Sequence, residues 1–373
     1  MERAELIRLV RATGCAEECG GVVFLCDPKW SVAERAQVAA LKAEIEKQNS
    51  KTADGWLCVP TGGSSGGLRF ARHDERTIAA AVKGFGEHFG LTCVNAVGVL
   101  PLHHVSGLMA WLRCALTGGE HVAWDWKQLE AGERPTISGG DWVISLVPTQ
   151  LHRLLASRLA VAWLREFAII FVGGGPVWPE LAAAAAQAQL RVSLSYGMTE
   201  TAAMIAALRP ADFLAGARSC GTALPHATVS VDVAGAVRVA GESVFRGYWP
   251  EHRTMREFVT DDLGRIDERG HLHVLGRRDG VIVTGGKKIS PAEVEAALRE
   301  SGEFSDVAVL GVPDAEWGEV VVACYPAGAR APDLTRAVAA LAGHLRPKRF
   351  VAVAEWPRNA QGKLNRAALR TSL

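Results

Sequence analysis

The residues best suited to bind a polyphosphate form a run of glycines and hydroxyl side chains after a predicted strand, Trp56–Pro60. The run reads Thr61-Gly62-Gly63-Ser64-Ser65-Gly66-Gly67-Leu68-Arg69. Glycines let backbone N–H groups approach anionic oxygens, hydroxyls add donors, and the Arg69 guanidinium can offset developing charge. The run lacks the Gly-Lys-Ser/Thr ending of a P-loop. A flexible surface loop is the alternative interpretation.

A second polar segment follows the predicted strand Arg191–Leu194 and is expected to be a glycine turn. It reads Ser195-Tyr196-Gly197-Met198-Thr199-Glu200-Thr201. The Tyr196 ring can cover a purine, Thr199 can bond a phosphate, and Glu200 can hold Mg²⁺, which prefers one or two carboxylates plus phosphate oxygens. A Thr-Glu pair taken alone is more often a helix N-cap.

Two further segments lie towards the C-terminus. Asp262, within Thr260–Gly264, precedes Gly276-Arg277-Arg278-Asp279, so that a carboxylate for ribose hydroxyls has a guanidinium nearby. A solvated hairpin is the alternative for this pair. Lys363 lies on the polar run Asn359-Ala360-Gln361-Gly362-Lys363, and a lone lysine of this kind is usually solvated surface.

The elements that must position these segments alternate between apolar strands and amphipathic helices in the first half of the chain. The predicted strands there are Gly21–Leu25, Trp56–Pro60, Val94–Leu100, Trp142–Val147 and Ala168–Val172, and the predicted helices are Val32–Gln48, Asp74–Phe89 and Pro179–Gln189. This alternation predicts an α/β fold with layers and a largely parallel sheet.

After Ala227 the pattern changes to short strands and tight turns, which predicts a smaller β-rich unit. Its expected strands are Thr228–Val233, Ala236–Val239, His271–Val274 and Gly280–Val283. A compact α+β domain should follow, with helices Ser290–Arg299 and Leu334–Leu345 and strands Val307–Leu310 and Val320–Tyr325. We place the boundary at the Gly276–Gly280 turn, with an N-terminal domain of residues 1–277 and a C-terminal domain of residues 278–373.

Composition excludes several classes of function. The 373 residues carry 41 Lys and Arg against 40 Asp and Glu, so no broad field attracts nucleic acid or an anionic membrane. No apolar stretch approaches the roughly 20 residues of a spanning helix, and residues 1–14 lack a signal-peptide core. We therefore expect a cytoplasmic protein. Its eight scattered cysteines are expected to be reduced, mostly buried thiols without zinc.

The order of these motifs resembles the adenylate-forming superfamily of acyl-CoA synthetases, luciferases and peptide-synthetase adenylation domains. The resemblance runs from about Trp56 to Leu369 and includes the Gly285-Gly286-Lys287-Lys288 turn. It implies a large N-terminal domain of layered sheets and helices with a small mobile C-terminal α+β domain. It also implies the activity: ATP and Mg²⁺ convert a carboxylate to an acyl-adenylate, and the acyl group passes to coenzyme A.

The resemblance assigns ATP-binding roles to residues at matching positions. Thr199, Glu200, Arg69 and Lys363 would be catalytic, with Glu200 as the metal ligand and Lys363 stabilising charge during adenylation. The remaining cofactor contacts would come from Thr61, Gly62, Gly63, Ser64, Ser65 and Gly66 at the phosphates, from Gly173–Pro176 with Gly174 and Gly175, Tyr196 and Gly197 at the adenine, and from Asp262 and Arg277 at the ribose.

Two further roles belong to the mobile domain. Asp279 would be the hinge about which that domain turns between adenylation and thioester formation. Gly285, Gly286 and Lys287 would face the pantetheine tunnel in the second state.

Within the superfamily, two stretches are similar to the 2-succinylbenzoate–CoA ligases of menaquinone and phylloquinone biosynthesis. They are the Pro60–Gly66 loop with the Leu68-Arg69-Phe70-Ala71 that follows, and Leu100-Pro101-Leu102-His103-His104-Val105-Ser106-Gly107-Leu108. This similarity implies that His104 and Ser106 lie beside an aromatic acid. The alternative is an ordinary loop pair, because adjacent histidines lack metal-ligand spacing.

The chain also departs from the superfamily pattern. Only about sixty residues precede the phosphate loop, so part of the usual N-terminal domain is expected to be absent or rebuilt, and Arg69 stands where the family's loop has lysine. Arginine keeps the charge but changes its geometry. Two alternatives therefore stay open: a ligase for another aromatic or aliphatic acid, and a non-catalytic nucleotide-binding relative.

Overall fold

Four β-sheets follow one another along the chain. The computed structural model describes residues 1–48, 55–62, 68–251, 256–285, 287–304, 306–328, 331–358, 364–371 and 373. The first sheet has the order β1-β2-β3-β4, with only β2 and β3 parallel. Its strands are Ala16–Cys19 (β1), Val22–Leu25 (β2), Leu57–Gly62 (β3) and Leu68–His73 (β4), flanked by helices Arg3–Ala12 (α1) and Val32–Gln48 (α2). The helix Val32–Gln48 has the predicted bounds.

The second sheet has seven strands in the order β11-β10-β9-β8-β7-β5-β6. Neighbours from β9 to β6 are parallel, whereas β10 runs antiparallel to both β9 and β11. The strands are Asn95–Gly98 (β5), His121–Ala123 (β6), Trp142–Leu146 (β7), Ile169–Val172 (β8), Val192–Met198 (β9), Ala203–Ala207 (β10) and Thr222–Ala223 (β11). The predicted, largely parallel sheet is confirmed.

Helices cover both faces of this sheet. They are Glu75–Phe89 (α3), Val105–Thr117 (α4), Trp126–Ala131 (α5), Pro148–Leu155 (α6), Arg158–Leu164 (α7), Pro179–Gln187 (α8) and Pro210–Leu214 (α9). Successive strand side chains point to opposite faces: Ile170 packs in one apolar cluster with Leu181 of α8, and Phe171 in another with Phe85 of α3. Parallel strands are therefore buried on both sides, as expected.

The expected glycine turn at Ser195–Thr201 is wrong. Strand β9 continues to Met198, and a single 3-10 turn, Thr199–Thr201, leads into β10. The reversal uses positive φ at Ala202 and Ala203 (52° and 76°) instead of at the glycine. Gly197 is needed for a different reason, because a Cβ there would lie 2.0 Å from the Ala203 carbonyl oxygen.

The third sheet is an antiparallel meander. Its strands are Ala227–Val231 (β12), Ala236–Gly241 (β13), Glu257–Ile266 (β14) and Leu272–Arg277 (β15). The sequence analysis missed β14, whose run of acids and glycine has low strand propensity. Its pairing with β15 places Asp262 directly opposite Arg277.

The fourth sheet forms the C-terminal unit, with the order β17-β16-β19-β18 and β20 parallel to β19. The strands are Ile282–Thr284 (β16), Lys287–Ile289 (β17), Ala308–Asp314 (β18), Gly318–Pro326 (β19) and Arg349–Val353 (β20), and the helices are Pro291–Glu300 (α10), Leu334–Ala337 (α11) and Arg366–Thr371 (α12). The α+β unit is confirmed.

The predicted helix Leu334–Leu345 is wrong in its length. Only Leu334–Ala337 is helical, and a separate 3-10 turn covers Gly343–Leu345. A segment this short needs tertiary contacts to hold a helix, and only Ala337 and Leu341 of it are buried in the core. Between them the chain forms turns, and the Leu341 N–H donates to the Val338 carbonyl oxygen at 3.1 Å.

Composition leads us to expect reduced thiols, no membrane-spanning helix and no zinc site, and the described residues bear on all three expectations. All eight cysteines are free, four of them buried, whereas Cys93 is exposed. Across the described ranges, no helix combines the length and apolar character needed to cross a membrane. In the same ranges, no group of three or more His, Cys, Asp or Glu side chains is arranged to hold a metal ion.

Candidate active site

The first part of the site is the β3–β4 hairpin. Its register sets Thr61 opposite Arg69 and Gly62 opposite Leu68. Predicted phosphate-binding residues Gly63, Ser64, Ser65 and Gly66 fall on the connection between these strands and lie outside the described residues. Thr61 and Arg69 therefore flank the place where the glycine- and serine-rich run begins and ends.

The Glu200 carboxylate accepts a hydrogen bond from this hairpin. Its side chain is 7% exposed, and Oε1 accepts hydrogen bonds from the Tyr248 hydroxyl at 2.6 Å and from Thr61 Oγ1 at 3.4 Å. Among the described residues, no hydrogen bond uses Oε2. One carboxylate oxygen thus remains to bind Mg²⁺, whose other ligands are typically phosphate oxygens and water.

Tyr248 connects two predicted site residues, and the sequence analysis missed it. A β-bridge to Ala71 of β4 fixes its backbone, and the Phe245 ring packs against it at 4.8 Å between centroids. The Arg69 guanidinium lies over the Tyr248 ring, 4.5 Å from its centroid. Burial, followed by the charge of Glu200, raises the pKa of the Tyr248 phenol. The phenol therefore stays protonated and donates.

The backbone of Thr199 is fixed by His73, the last residue of β4. His73 Nε2 lies 2.7 Å from the Thr199 carbonyl oxygen, and its Nδ1 lies 3.1 Å from Thr77 Oγ1. A carbonyl only accepts, so the proton must sit on Nε2. Burial lowers the pKa of His73 to about 4, and the ring is neutral at pH 7.

An ion pair joins the N-terminus of α3 to the segment that carries Tyr248. Asp74 caps the helix by accepting from the Arg76 and Thr77 N–H groups. The same carboxylate pairs with Arg246 at 2.7 Å. Arg246, two residues before Tyr248, therefore links the cap of α3 to the segment that carries the tyrosine.

Tyr196 and Asp262 form the second part of the site. The Tyr196 hydroxyl donates to Asp262 Oδ2 at 2.6 Å. Arg277 lies on the other side of this carboxylate, with NH1 4.0 Å from Oδ1, and pairs more closely with Asp261 at 3.3 Å. Burial, followed by the charge of Asp262, raises the pKa of Tyr196. The structure thus brings together the predicted adenine-covering ring and the predicted ribose carboxylate.

The glycines after β8 lie at the same sheet edge. Gly174 and Gly175 are exposed, and Gly174 has a φ of 75°. A Cβ on Gly173 would lie 2.7 Å from Ser195 Oγ of the adjacent strand. Parallel β8 and β9 therefore present Gly173–Gly175 and the Tyr196 segment side by side at their carboxyl ends.

His104 and Ser106 mark the start of α4. His104 occupies the N-cap position without a side-chain cap, and both residues are half-buried. The neighbouring His103 ring lies 4.3 Å from that of His104, and its Nε2 is 3.3 Å from Asp27 Oδ2. Burial lowers the pKa of His103 more than Asp27 raises it. His103 thus faces Asp27, which lies two residues after β2, and His104 stays half-buried.

The residues predicted for the second half-reaction lie in or next to the fourth sheet. Asp279 falls in the 3-10 turn Arg278–Gly280, Lys287 is the exposed first residue of β17, and Gly285 has a φ of 52°. A Cβ on Gly285 would lie 2.9 Å from the Trp317 ring. Gly286 of the predicted pantetheine turn lies outside the described residues, and so does Lys363, which was predicted for the adenylation step.

The family follows from comparison with known proteins. The chain matches the model of the AMP-binding enzyme over residues 4–249 and that of the AMP-binding enzyme C-terminal domain over residues 293–363. This chain belongs to the AMP-binding enzyme family, which confirms the resemblance seen in the sequence.

Within that family the chain is similar to 2-succinylbenzoate–CoA ligases. It is 29% identical to the ligase of Oceanobacillus iheyensis over 365 residues (90% of this chain, 72% of that protein) and 32% identical to that of Listeria monocytogenes over 280 residues (73% and 60%). It is also 33% identical to the indoleacetate–CoA ligase of Aromatoleum aromaticum (73% and 58%). The chain thus spans 58% to 72% of these relatives' lengths.

Solved structures show the same fold. The o-succinylbenzoate CoA synthetase (MenE) of Bacillus subtilis with the acyl-adenylate intermediate OSB-AMP superposes with a TM-score of 0.72 at 24% identity, covering 87% of this chain and 73% of that one. A variant of E. coli MenE with bound OSB-AMS gives a TM-score of 0.69 at 28% identity, with coverage of 85% and 68%. The predicted architecture is confirmed.

Proposed function

We propose that this protein uses ATP to activate 2-succinylbenzoate as an acyl-adenylate and then transfers the acyl group to coenzyme A. The observation that carries the proposal is the contact between Thr61, Tyr248 and Glu200, with Arg69 stacked on the tyrosine. Thr61 and Glu200 are 139 positions apart, and their contact supports one site built from the two polar motifs. The identity of the acid rests on the similarity to 2-succinylbenzoate–CoA ligases.

In the first step, a carboxylate oxygen of the acid attacks the α-phosphorus of ATP. A new P–O bond forms, the bond to the β-phosphate oxygen breaks, and pyrophosphate leaves. The nucleophile is already ionised, so catalysis consists of positioning and electrostatic stabilisation. Arg69 and Lys363 offset the growing charge, and Thr61 and Thr199 donate to phosphate oxygens.

Glu200 and Asp262 have separate duties in this proposal. Glu200 holds Mg²⁺, which when bound neutralises phosphate charge. Tyr248 occupies Oε1 of Glu200 and leaves Oε2 for the metal. Asp262, oriented by Tyr196, accepts from ribose hydroxyls, while Gly174, Gly175 and the Tyr196 ring line the adenine pocket.

In the second step, the coenzyme A thiolate attacks the acyl carbon, a C–S bond forms, and AMP leaves; the thiol proton goes to solvent. We propose that residues 278–373 rotate about Asp279 between the steps, withdrawing Lys363 and bringing Gly285–Lys287 to the pantetheine arm. His104 and Ser106 lie beside the aromatic acid. Free thiols suit a reducing compartment, and we place the enzyme in the cytoplasm.

The test is a thioester screen of the purified protein. The protein is incubated with ATP, Mg²⁺, coenzyme A and one acid at a time: 2-succinylbenzoate, indoleacetate, benzoate or a fatty acid. We expect 2-succinylbenzoyl-CoA as the main product and none with Glu200→Gln. Preference for another acid would overturn the substrate assignment, and ATP binding without any product would identify a non-catalytic relative.

A further inference from the structure

A second cleft lies at the carboxyl edge of the parallel sheet, away from β8 and β9. It has a volume of about 660 Å³ and is lined by residues that follow β5, β6 and β7. In the sheet order, β6 lies on one side of β5 and β7 on the other. The chain therefore reverses its direction of winding between β5 and β7, and such switch points are where open α/β sheets bind ligands.

Two tryptophans contribute to the apolar wall of this cleft. Trp124 and Trp126 come directly after β6, are half-buried, and pack on the main core. The Trp124 backbone N–H donates to the Gly98 carbonyl oxygen at the end of β5 at 2.9 Å, which fixes the main chain at this point. We call this space the tryptophan cleft. Half-buried indole rings that pack on the core and line a cleft are suited to stack on a flat heterocycle.

The tryptophan cleft has more basic than acidic side chains in its lining. Glu130 pairs with Arg153 at 2.6 Å, and Asp125 caps α5 through the Lys127 and Gln128 N–H groups. Lys29 and Lys127 also line the cleft and are exposed. Neither forms an ion pair with a carboxylate in the part of the chain that the structure describes. Their ammonium groups are therefore available to phosphate oxygens.

The cleft adjoins the segment assigned to the acid. Leu100 and Leu102 belong to its wall and lie directly before His103 and His104. Arg358, from the C-terminal unit, also lines it, so both parts of the protein contribute. A ligand held here can reach towards the acid from the β5 side, whereas the triphosphate site lies against β3, β4 and β9.

We propose that the tryptophan cleft binds the 3′-phosphoadenosine diphosphate part of coenzyme A. The proposal rests on the proposed function, whose second substrate combines a purine with three phosphates. The purine stacks on Trp124 or Trp126, Lys29 and Lys127 meet the phosphates, and the pantetheine arm extends past Leu102. A cleft of about 660 Å³ lies within the usual range for ligand sites, roughly 300–1,000 Å³.

The decisive variant is Lys29→Glu with Lys127→Glu, both at exposed positions. We expect its KM for coenzyme A to rise about tenfold or more, because like charges then face the phosphates. With pantetheine, which lacks the nucleotide, the variant should match the wild type, and ATP–pyrophosphate exchange should be unchanged. The matched control is Lys83→Glu, an exposed lysine on α3.

Three outcomes would overturn the proposal: an unchanged KM for coenzyme A, an equal loss with pantetheine, or a raised KM for ATP or the acid. Binding of 3′-phosphoadenosine 5′-diphosphate, measured by calorimetry, separates this proposal from the proposed function. Wild-type binding that the double variant loses would support the cleft even without ligase activity. Equal binding by both proteins would contradict it.

Discussion

The Tyr248 hydroxyl donates to Glu200 Oε1 at 2.6 Å while the Arg69 guanidinium stacks on the same ring at 4.5 Å. One side chain thus orients the proposed magnesium ligand and a proposed phosphate-binding cation. Removing only the Tyr248 hydroxyl would abolish the contact with Glu200 and keep the contact with Arg69.

Tyr248→Phe keeps the ring under Arg69 and removes the hydrogen bond to Glu200. Because hydrogen bonds to charged groups contribute about 1.5–3 kcal/mol, we expect adenylation to slow roughly tenfold to a hundredfold and the Mg²⁺ requirement to rise. The measurement is ATP–pyrophosphate exchange against Mg²⁺ concentration. Tyr325→Phe, which changes a tyrosine packed on Phe304 in the fourth sheet, is the control. An unaltered Mg²⁺ dependence would show that Tyr248 does not position Glu200.

Tyr196 and Asp262 should behave as a coupled pair in nucleotide binding. Each of Tyr196→Phe and Asp262→Asn is expected to raise the KM for ATP, since either change removes the 2.6 Å bond or weakens it. The double variant should be no worse than the more affected single variant, with a coupling of about 1–3 kcal/mol. Additive effects on the KM for ATP would mean that the two residues act independently.

Gly197→Ala should destabilise the protein because its Cβ would lie 2.0 Å from the Ala203 carbonyl oxygen. Overpacking of this kind costs about 1–3 kcal/mol, and the obstacle here is backbone. Thermal unfolding of the variant should begin at a lower temperature. Gly343→Ala, where nothing lies within 4 Å of the new methyl, is the control. Equal unfolding midpoints for both variants would refute the steric account.

His73 should make stability depend on pH. Its pKa is about 4 in the folded protein and about 6.5 in the unfolded chain, so the unfolded state binds more protons below pH 6.5. Stability from this residue is complete above pH 6.5 and falls as the pH drops towards 4.

Between pH 7 and pH 5 the wild type should therefore lose on the order of 2 kcal/mol more than His73→Gln does. Urea unfolding at both pH values measures this difference, to which the other histidines contribute equally in both proteins. His344→Gln, at an exposed position, should keep the wild-type dependence. A His73→Gln profile parallel to the wild type would contradict the assignment.

Lys363→Ala separates the two half-reactions. We expect adenylation to fall about 10²-fold or more, as when one preorganised donor is removed, while preformed acyl-adenylate is still converted to thioester. Quenched assays measure the rate of adenylation and, separately, the rate of thioester formation from preformed acyl-adenylate. Equal losses of rate in both half-reactions would contradict the proposal that Lys363 acts only in adenylation and is withdrawn before thioester formation.

Local patterns predicted those elements whose hydrophobic spacing and caps agree with the final fold. Helix α3 starts after Asp74, whose side chain caps it, and α2 has its expected ends. The sequence analysis missed β14 because its run of acids and glycine has low strand propensity, and its pairing with β13 and β15, including Asp262 opposite Arg277, supplies the stability. Strand propensity is a weak guide where neighbours supply the stability.

The sequence motifs predicted which residues belong to the site, but they did not predict the contacts between those residues. Thr61, Glu200 and Asp262 were identified from residue type and order, yet Tyr248 carries no motif signal of its own. Its role depends on the bridge to Ala71 that places it between Arg69 and Glu200. Gly197 was assigned to a turn because sequence alone does not show that β10 passes so close to β9.

The most direct test of the central claim is exchange of labelled pyrophosphate into ATP, with and without 2-succinylbenzoate. If the two polar motifs form one adenylating site for this acid, exchange will depend on 2-succinylbenzoate and Mg²⁺ and will be lost in Glu200→Gln. Exchange that ignores the acid, or that survives in Glu200→Gln at the wild-type rate, would contradict the account.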